Sequence, residues 1–157
     1  MELPTTRFGR LETLEIPEES GLDFPHRLPG FESHQSFAPI EDPRSLPFRW
    51  LQRLVDPHVT CMVIDPALVV DQYKVYFAGL DADYLELIGR NAAEVYCILA
   101  VLEDARSATI NLKAPIIVNR LGRRGKQVIL TDERFPLRHR LLRSCPRMES
   151  AGARCSS

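Results

Sequence analysis

Arg120, Arg123, Arg124 and Lys126 fall within the seven residues "RLGRRGK", interleaved with Gly122 and Gly125. Four cations at that spacing could neutralise nucleic-acid phosphates, cradle a phosphoryl group, or keep a turn in water. A phosphate loop needs G-x-x-x-x-G-K-[ST], with a hydroxyl to hold magnesium. "GRRGKQ" has the wrong spacing and places Gln127 where the hydroxyl belongs. Other catalytic patterns fare no better. There is no G-x-S-x-G, no dinucleotide-binding fingerprint, no C-x-x-C pair and no H-x-x-x-H spacing. Cys61 follows His58 by three residues, and side chains three apart on a strand point to opposite faces. The adjacent acids Glu41-Asp42 and Glu103-Asp104 sit in turn-like segments and read as solvated, whereas acid catalysis needs a desolvated pocket. These residues imply no catalytic site, no metal and no cofactor.

The chain that must position these residues has 157 residues, the size of one domain. Such a chain buries about 70% of its unfolded surface and needs no disulfide or metal to fold. Its longest apolar run, "VYCILAVL" at 95–102, is far short of the ~20 residues of a membrane span. "MELPTTRFGRLETLEI" lacks a basic start followed by an apolar block, so no signal peptide is expected and the protein is read as cytoplasmic. Cys61 and Cys97 lie in apolar, strand-like runs and read as small buried hydrophobes.

The net charge of -1 hides an asymmetry. Residues 1–110 carry 18 Asp and Glu against 9 Lys and Arg, while residues 111–157 carry 3 against 11. Either the two parts neutralise each other in the fold, or they offer partners surfaces of opposite sign.

Strand signals recur at short intervals. "TRFGRLETLEI" (6–16) places a glycine turn between short alternating segments; Leu11, Thr13 or Leu14, and Ile16 suggest a strand, with Glu12 and Glu15 facing water. In "LPGF", Pro29 presets φ and Gly30 accepts the positive φ of a type II turn, ahead of a strand from Phe31. "LPFRWLQRLVDP" (46–57) fits a helical or a strand face equally. "VTCMVID" (59–65), "DQYKVYF" (71–77), "EVYCILAVL" (94–102) and "ATINL" (108–112) read as strands, the third apolar on both faces and hence central. "APIIVN" and "KQVIL" flank the basic tip as a hairpin. "LDADYLELIGR" (80–90) is the one helix, with Asp81 as cap and Gly89 as stop. The fold class that follows is mainly β: a small antiparallel β-barrel-like or sandwich domain with one short helix, spanning residues 1–142, with a disordered tail at 143–157.

Taken together, "TRFGRLE", "FPHRLPGFE", "FRWLQRLVDP", "VIDP", "NLKAPIIVN", "GKQVIL" and "FPLRHRL" resemble the bacterial flagellar assembly factor FliW family, in the family's order from about Thr6 to Leu141. The resemblance implies a β-barrel-like protein without catalysis, monomeric when free, that binds flagellin in the cytoplasm. It also implies binding to CsrA, the RNA-binding repressor of flagellin translation, so that export of flagellin frees the factor to capture CsrA. An antagonist of a basic RNA-binding protein should present acids, and Asp71, Asp81, Asp83 and Glu86 are the candidates, able to repel RNA phosphates. The amphipathic helical ends of flagellin would need an apolar groove, for which Phe31 and Trp50 are candidate liners beside Phe48 and Leu54. The alternative is an RNA-binding β-module using Arg120, Arg123, Arg124, Lys126, Arg138 and Arg140.

Overall fold

The computed structural model describes residues 1–24, 28, 35–75, 84–85 and 93–141. Among the described residues eleven strands follow in order. They are β1 (Glu2–Arg7), β2 (Arg10–Glu15), β3 (Leu22–Phe24), β4 (Gln35–Glu41), β5 (Arg49–Arg53) and β6 (Thr60–Ile64). After these come β7 (Ala93–Ala100), β8 (Thr109–Ile110), β9 (Ile116–Asn119), β10 (Arg124–Gln127) and β11 (His139–Arg140).

Seven strands close on themselves in the order β7, β6, β5, β4, β3, β10, β9 and back to β7. All of these pairings are antiparallel except the parallel contact of β10 with β3, at Arg124 and Asp23. Closure removes the edges that an open sheet would leave for aggregation. The long strand β7 divides one edge between two partners: Ala93–Tyr96 pair with β9, and Leu99–Ala100 pair with β8, which carries β11. The doubly apolar run is thus the central strand.

Alternation of side chains sorts the core. Leu22, Phe24, Phe37, Leu51, Val63, Tyr96, Ile116 and Val118, drawn from six ring strands, form one cluster inside the barrel. Phe24 and Phe37 meet edge to face, their centroids 5.6 Å apart. β10 contributes Gly125 here, because a Cβ at that position would stand 2.2 Å from Phe24 Cζ. The intervening residues Ile64, Cys97 and Ile117 face outward into a second cluster with Val69, Leu112, Phe135 and Leu141. A third cluster, Leu3, Ala38, Ile40 and Trp50, lies beneath the β1–β2 hairpin. Each fully buried Leu, Ile or Phe supplies roughly 1.5–3 kcal/mol against the chain entropy.

Several expectations are corrected. The ambiguous 46–57 segment resolves into strand β5, whose Trp50, Leu51 and Gln52 are buried on alternate faces. Residues 71–75 are not a strand: the chain turns there, with Gln72 at φ 58°. The Tyr73 hydroxyl donates to Leu112 O at 2.6 Å and packs on Phe135 instead. The second hairpin strand begins and ends earlier than "KQVIL" suggests. Beyond Gln127, the Val128 and Leu130 N–H groups donate to Pro115 O and Lys113 O, an irregular pairing because Pro115 has no N–H to return. In the first hairpin Leu11 is 64% exposed, while Glu12 turns inward to Arg7. The helix expected over 80–90 lies outside the described residues apart from Tyr84 and Leu85, as do the Pro29–Gly30 turn and the tail beyond Leu141.

Candidate functional site

Of the candidate contact residues, Phe31, Asp81, Asp83 and Glu86 lie outside the described residues. Asp71 is exposed at the turn after the short 3-10 helix Pro66–Leu68. Trp50 is only 8% exposed, packs with Leu3, Ala38 and Ile40, and donates its indole N–H to Ser45 Oγ at 3.0 Å. It therefore supports a surface more than it forms one. Phe8 lies edge-on against it at 5.4 Å and is itself 51% exposed.

Phe8 stands at the tip of the β1–β2 hairpin, where Phe8 and Gly9 have φ of 51° and 74°. Two consecutive positive φ values are those of a type I′ turn, which matches the twist of the strands. The hairpin is fastened to the barrel at several points. The Thr5 hydroxyl donates to buried Gln52, whose amide donates in turn to Asp56 O and Val59 O. The Thr6 N–H donates to Pro57 O at 2.9 Å. Arg7, 4% exposed, donates to Asp42 at 2.6 Å and to Glu12 at 2.7 Å. Arg44 closes the network from the solvent side, bonding Asp42 and Glu12 and lying 4.8 Å over the Phe8 ring.

Asp42 was expected to be a solvated turn residue, and this is corrected: it is 4% exposed and holds two guanidinium groups. Side-chain hydrogen bonding from Arg44, with Arg7 beside it, holds its pKa at about 2. Glu12 is likewise shifted down by Arg7 and Arg44. No local sequence signal marks this network, since its members come from β1, β2 and the β4–β5 connection.

The basic tip is committed to the fold. Arg120 Nε donates to Glu94 at 2.8 Å, joining the basic and acidic parts of the chain. Arg123 Nε donates to Gly21 O at 3.1 Å and Arg124 Nη1 to Tyr84 O at 3.2 Å. The Lys126 ammonium lies 5.5 Å from the centre of the Tyr84 ring. Asn119, 3% exposed, staples the same region: its Nδ2 donates to Leu85 O at 2.8 Å, and its Oδ1 accepts from Gly122 N–H. The hairpin thus anchors Tyr84 and Leu85. The strand that carries Arg124 and Lys126, β10, pairs on both sides, with β3 and with β9.

A cavity of about 250 Å³ opens beside Glu41, Leu46, Arg49, Asp65, Leu68 and Tyr96. Arg49 is paired with Glu41 at 2.7 Å, and the Tyr96 hydroxyl donates to Glu94. Burial opposes the charge on Glu94, but hydrogen bonds from Tyr96 and Arg120 outweigh it and its pKa falls. Burial first, and then Glu94, push Tyr96 up. Both groups therefore move away from the neutral range that proton transfer favours. Burial raises Cys61 to about 11 and Cys97 to about 12, as inert, packed thiols require. Among the described residues no group of three His, Cys, Asp or Glu could hold a metal, and no helix is long and apolar enough to cross a membrane.

Known proteins share both sequence and fold with this chain. The family described as "FliW protein" matches residues 2–141. A flagellar assembly factor FliW from Desulfitobacterium hafniense (strain Y51) is 34% identical over 141 residues, covering 90% of this chain and 91% of that one. A protein of the same name from Thermotoga petrophila is 36% identical over 133 residues, covering 84% and 89%. A crystal structure of the flagellar assembly factor FliW superposes with a TM-score of 0.79 at 30% identity, covering 90% of this chain and 96% of that one. This chain belongs to the FliW family of flagellar assembly factors.

Proposed function

We propose that this protein acts in the cytoplasm as a non-catalytic flagellar assembly factor that binds flagellin and, in exchange, the translational repressor CsrA. No cofactor, metal or nucleic acid takes part, and the free chain is monomeric. Retention of flagellin inside the cell keeps the factor occupied, and export releases it to capture CsrA and restore flagellin translation. Such a switch needs only two competing affinities.

The observation that carries this reading is the family match over residues 2–141, on a closed barrel whose described charged clusters are internally compensated. The commitment of Arg120, Arg123, Arg124 and Lys126 to internal partners weighs against the RNA-binding alternative. Asp71, Asp81, Asp83 and Glu86 are the proposed acidic contacts for CsrA, and Phe31 an apolar contact for flagellin. Trp50 is assigned the supporting role its burial allows.

Size-exclusion chromatography of the purified protein tests the proposal. It should co-elute with flagellin, co-elute separately with CsrA, and release either partner when the other is in excess. Failure to retain either protein, or formation of a stable ternary complex without displacement, refutes the exchange.

A further inference from the structure

The β1–β2 hairpin carries an outer edge that the described fold leaves open. Its two-residue turn makes Arg7 and Arg10 a hydrogen-bonded pair, and the alternation continues through Thr5 with Glu12 and Leu3 with Leu14. Ile16 N–H, donating to Met1 O at 3.0 Å, keeps the same phase. Leu11, Thr13 and Glu15 therefore direct their N–H and C=O groups away from β1. On β1 two of the corresponding outward positions, Thr6 and Pro4, offer no free donor: Thr6 N–H reaches Pro57 O, and Pro4 has no N–H to offer. On β2 no described residue takes the outward groups, and all three residues are exposed.

This edge is also firm. Leu3 and Thr5 are 1% and 0% exposed, and Arg7 is locked by Asp42, so β2 rests on a strand that the barrel holds in place. Presenting an unpaired strand rigidly lowers the ordering cost for whatever pairs with it.

We infer that the outer edge of β2 receives an extended, basic segment of a partner protein as an added strand. Backbone hydrogen bonds to Leu11, Thr13 and Glu15 supply affinity, and side chains on the exposed face supply selectivity. The charge of the occupant follows from the surroundings. Glu2 and Glu15 are exposed on the hairpin, and Glu18 and Glu19 follow in the next 3-10 turn. Arg7 is buried and committed, Arg44 is engaged by Asp42 and Glu12, and the Met1 ammonium donates to Ile16 O at 2.9 Å, so that with Arg10 at the tip the carboxylates still outnumber the exposed cations near Glu15. A second copy paired in parallel would set Glu15 against Glu15, and like charges across strands are destabilising. A segment with an apolar side chain opposite Leu11 and Lys or Arg opposite Glu15 satisfies backbone, apolar surface and charge together.

The test uses the full chain and a fluorescein-labelled peptide of alternating valine and lysine, read by anisotropy and by amide chemical shifts. Binding should weaken with salt, and the shifts should centre on Leu11, Thr13 and Glu15. Thr13→Pro removes an outward N–H that the β1 ladder does not use, opposite a position where Pro4 already sits, and should lower affinity about tenfold. Glu15→Lys, which spares the backbone, should lower it about fivefold, and a valine–glutamate peptide should not bind. Three results overturn the proposal: affinity unchanged in both variants, shifts centred elsewhere, or no binding at millimolar peptide. Dimerisation of the wild type that Thr13→Pro abolishes also overturns it, by giving the edge to a second copy.

Discussion

Arg7 Nη1 lies 2.6 Å from Asp42 Oδ2, with the two side chains 4% and 5% exposed. This buried pair ties the first strand of the chain to the connection between β4 and β5, and it sets the position of the Phe8 tip. Removing one partner leaves the other charge buried without compensation. Asp42→Ala should therefore lower the melting temperature and speed amide exchange throughout β1 and β2. Replacing both with apolar residues of similar size, Arg7→Met with Asp42→Leu, should recover much of the loss, as thermal melts of the single and double variants would show.

Acid stability should report Asp42 as well. Hydrogen bonding from Arg44 depresses Asp42 to about 2 in the folded state, below the ordinary carboxylate value of 3.8. A depressed folded pKa adds stability above the unfolded pKa, and that stability is lost as the proton binds. Denaturant midpoints should hold above about pH 4 and fall between pH 4 and 2. Asp132, lowered to about 2 by Arg134, contributes in the same window. Asp42→Asn should be less stable at pH 7 and flatter across this range.

Gly125 is required by contact with Phe24. A Cβ there would lie 2.2 to 2.9 Å from three atoms of the Phe24 ring, which is 0% exposed and packs on Phe37 inside the closed barrel. Gly125→Ala should cost about 1–3 kcal/mol or more in urea denaturation. Adding Phe24→Leu to Gly125→Ala should restore part of it, whereas independent sites would give simple addition.

Asn119 bonds the turn and the 84–85 segment with one buried amide. Asn119→Ala leaves Leu85 O and Gly122 N–H without their partner, at a cost of about 1–3 kcal/mol. Hydrogen exchange at Gly122 should accelerate in the variant while amides in β4 and β5 keep their protection.

The proposed exchange of partners predicts unequal effects of charge. Reversing Asp81, Asp83 and Glu86 to Lys should weaken the CsrA complex by tenfold or more and the flagellin complex much less, by titration calorimetry. Equal losses would place the acidic contact elsewhere. RNA should show no salt-dependent binding to the wild type, given how Arg120, Arg123 and Arg124 are engaged.

What the chain discloses on its own is local chemistry. Alternation and β-forming residues mark β6, β7 and β9. Asp65 beside Pro66 marks a turn and caps Pro66–Leu68. "ATINL" reads as a strand through Leu112, but β8 stops at Ile110, and Asn111 accepts from Lys113 and Ala114 N–H to turn the chain within "NLKAP". These motifs carry the family resemblance because they fix the backbone. For the same reason they identify the fold without locating a binding surface.

Tertiary structure decides what depends on residues far apart in sequence. "RLGRRGK" reads as a free basic tip until Glu94, Gly21 and Tyr84 arrive to hold it. "ED" at 41–42 reads as a wet turn until Arg7, 35 residues earlier, buries against it. "RLETLE" gives no means of choosing which face sinks, since Leu11 and Leu14 fall on opposite sides of a strand. The ion pairs of Glu12 with Arg7 and Arg44 decide it and leave Leu11 in water. A charge or an apolar side chain states its preference locally, but whether that preference is met depends on partners that only closure of the barrel brings within reach.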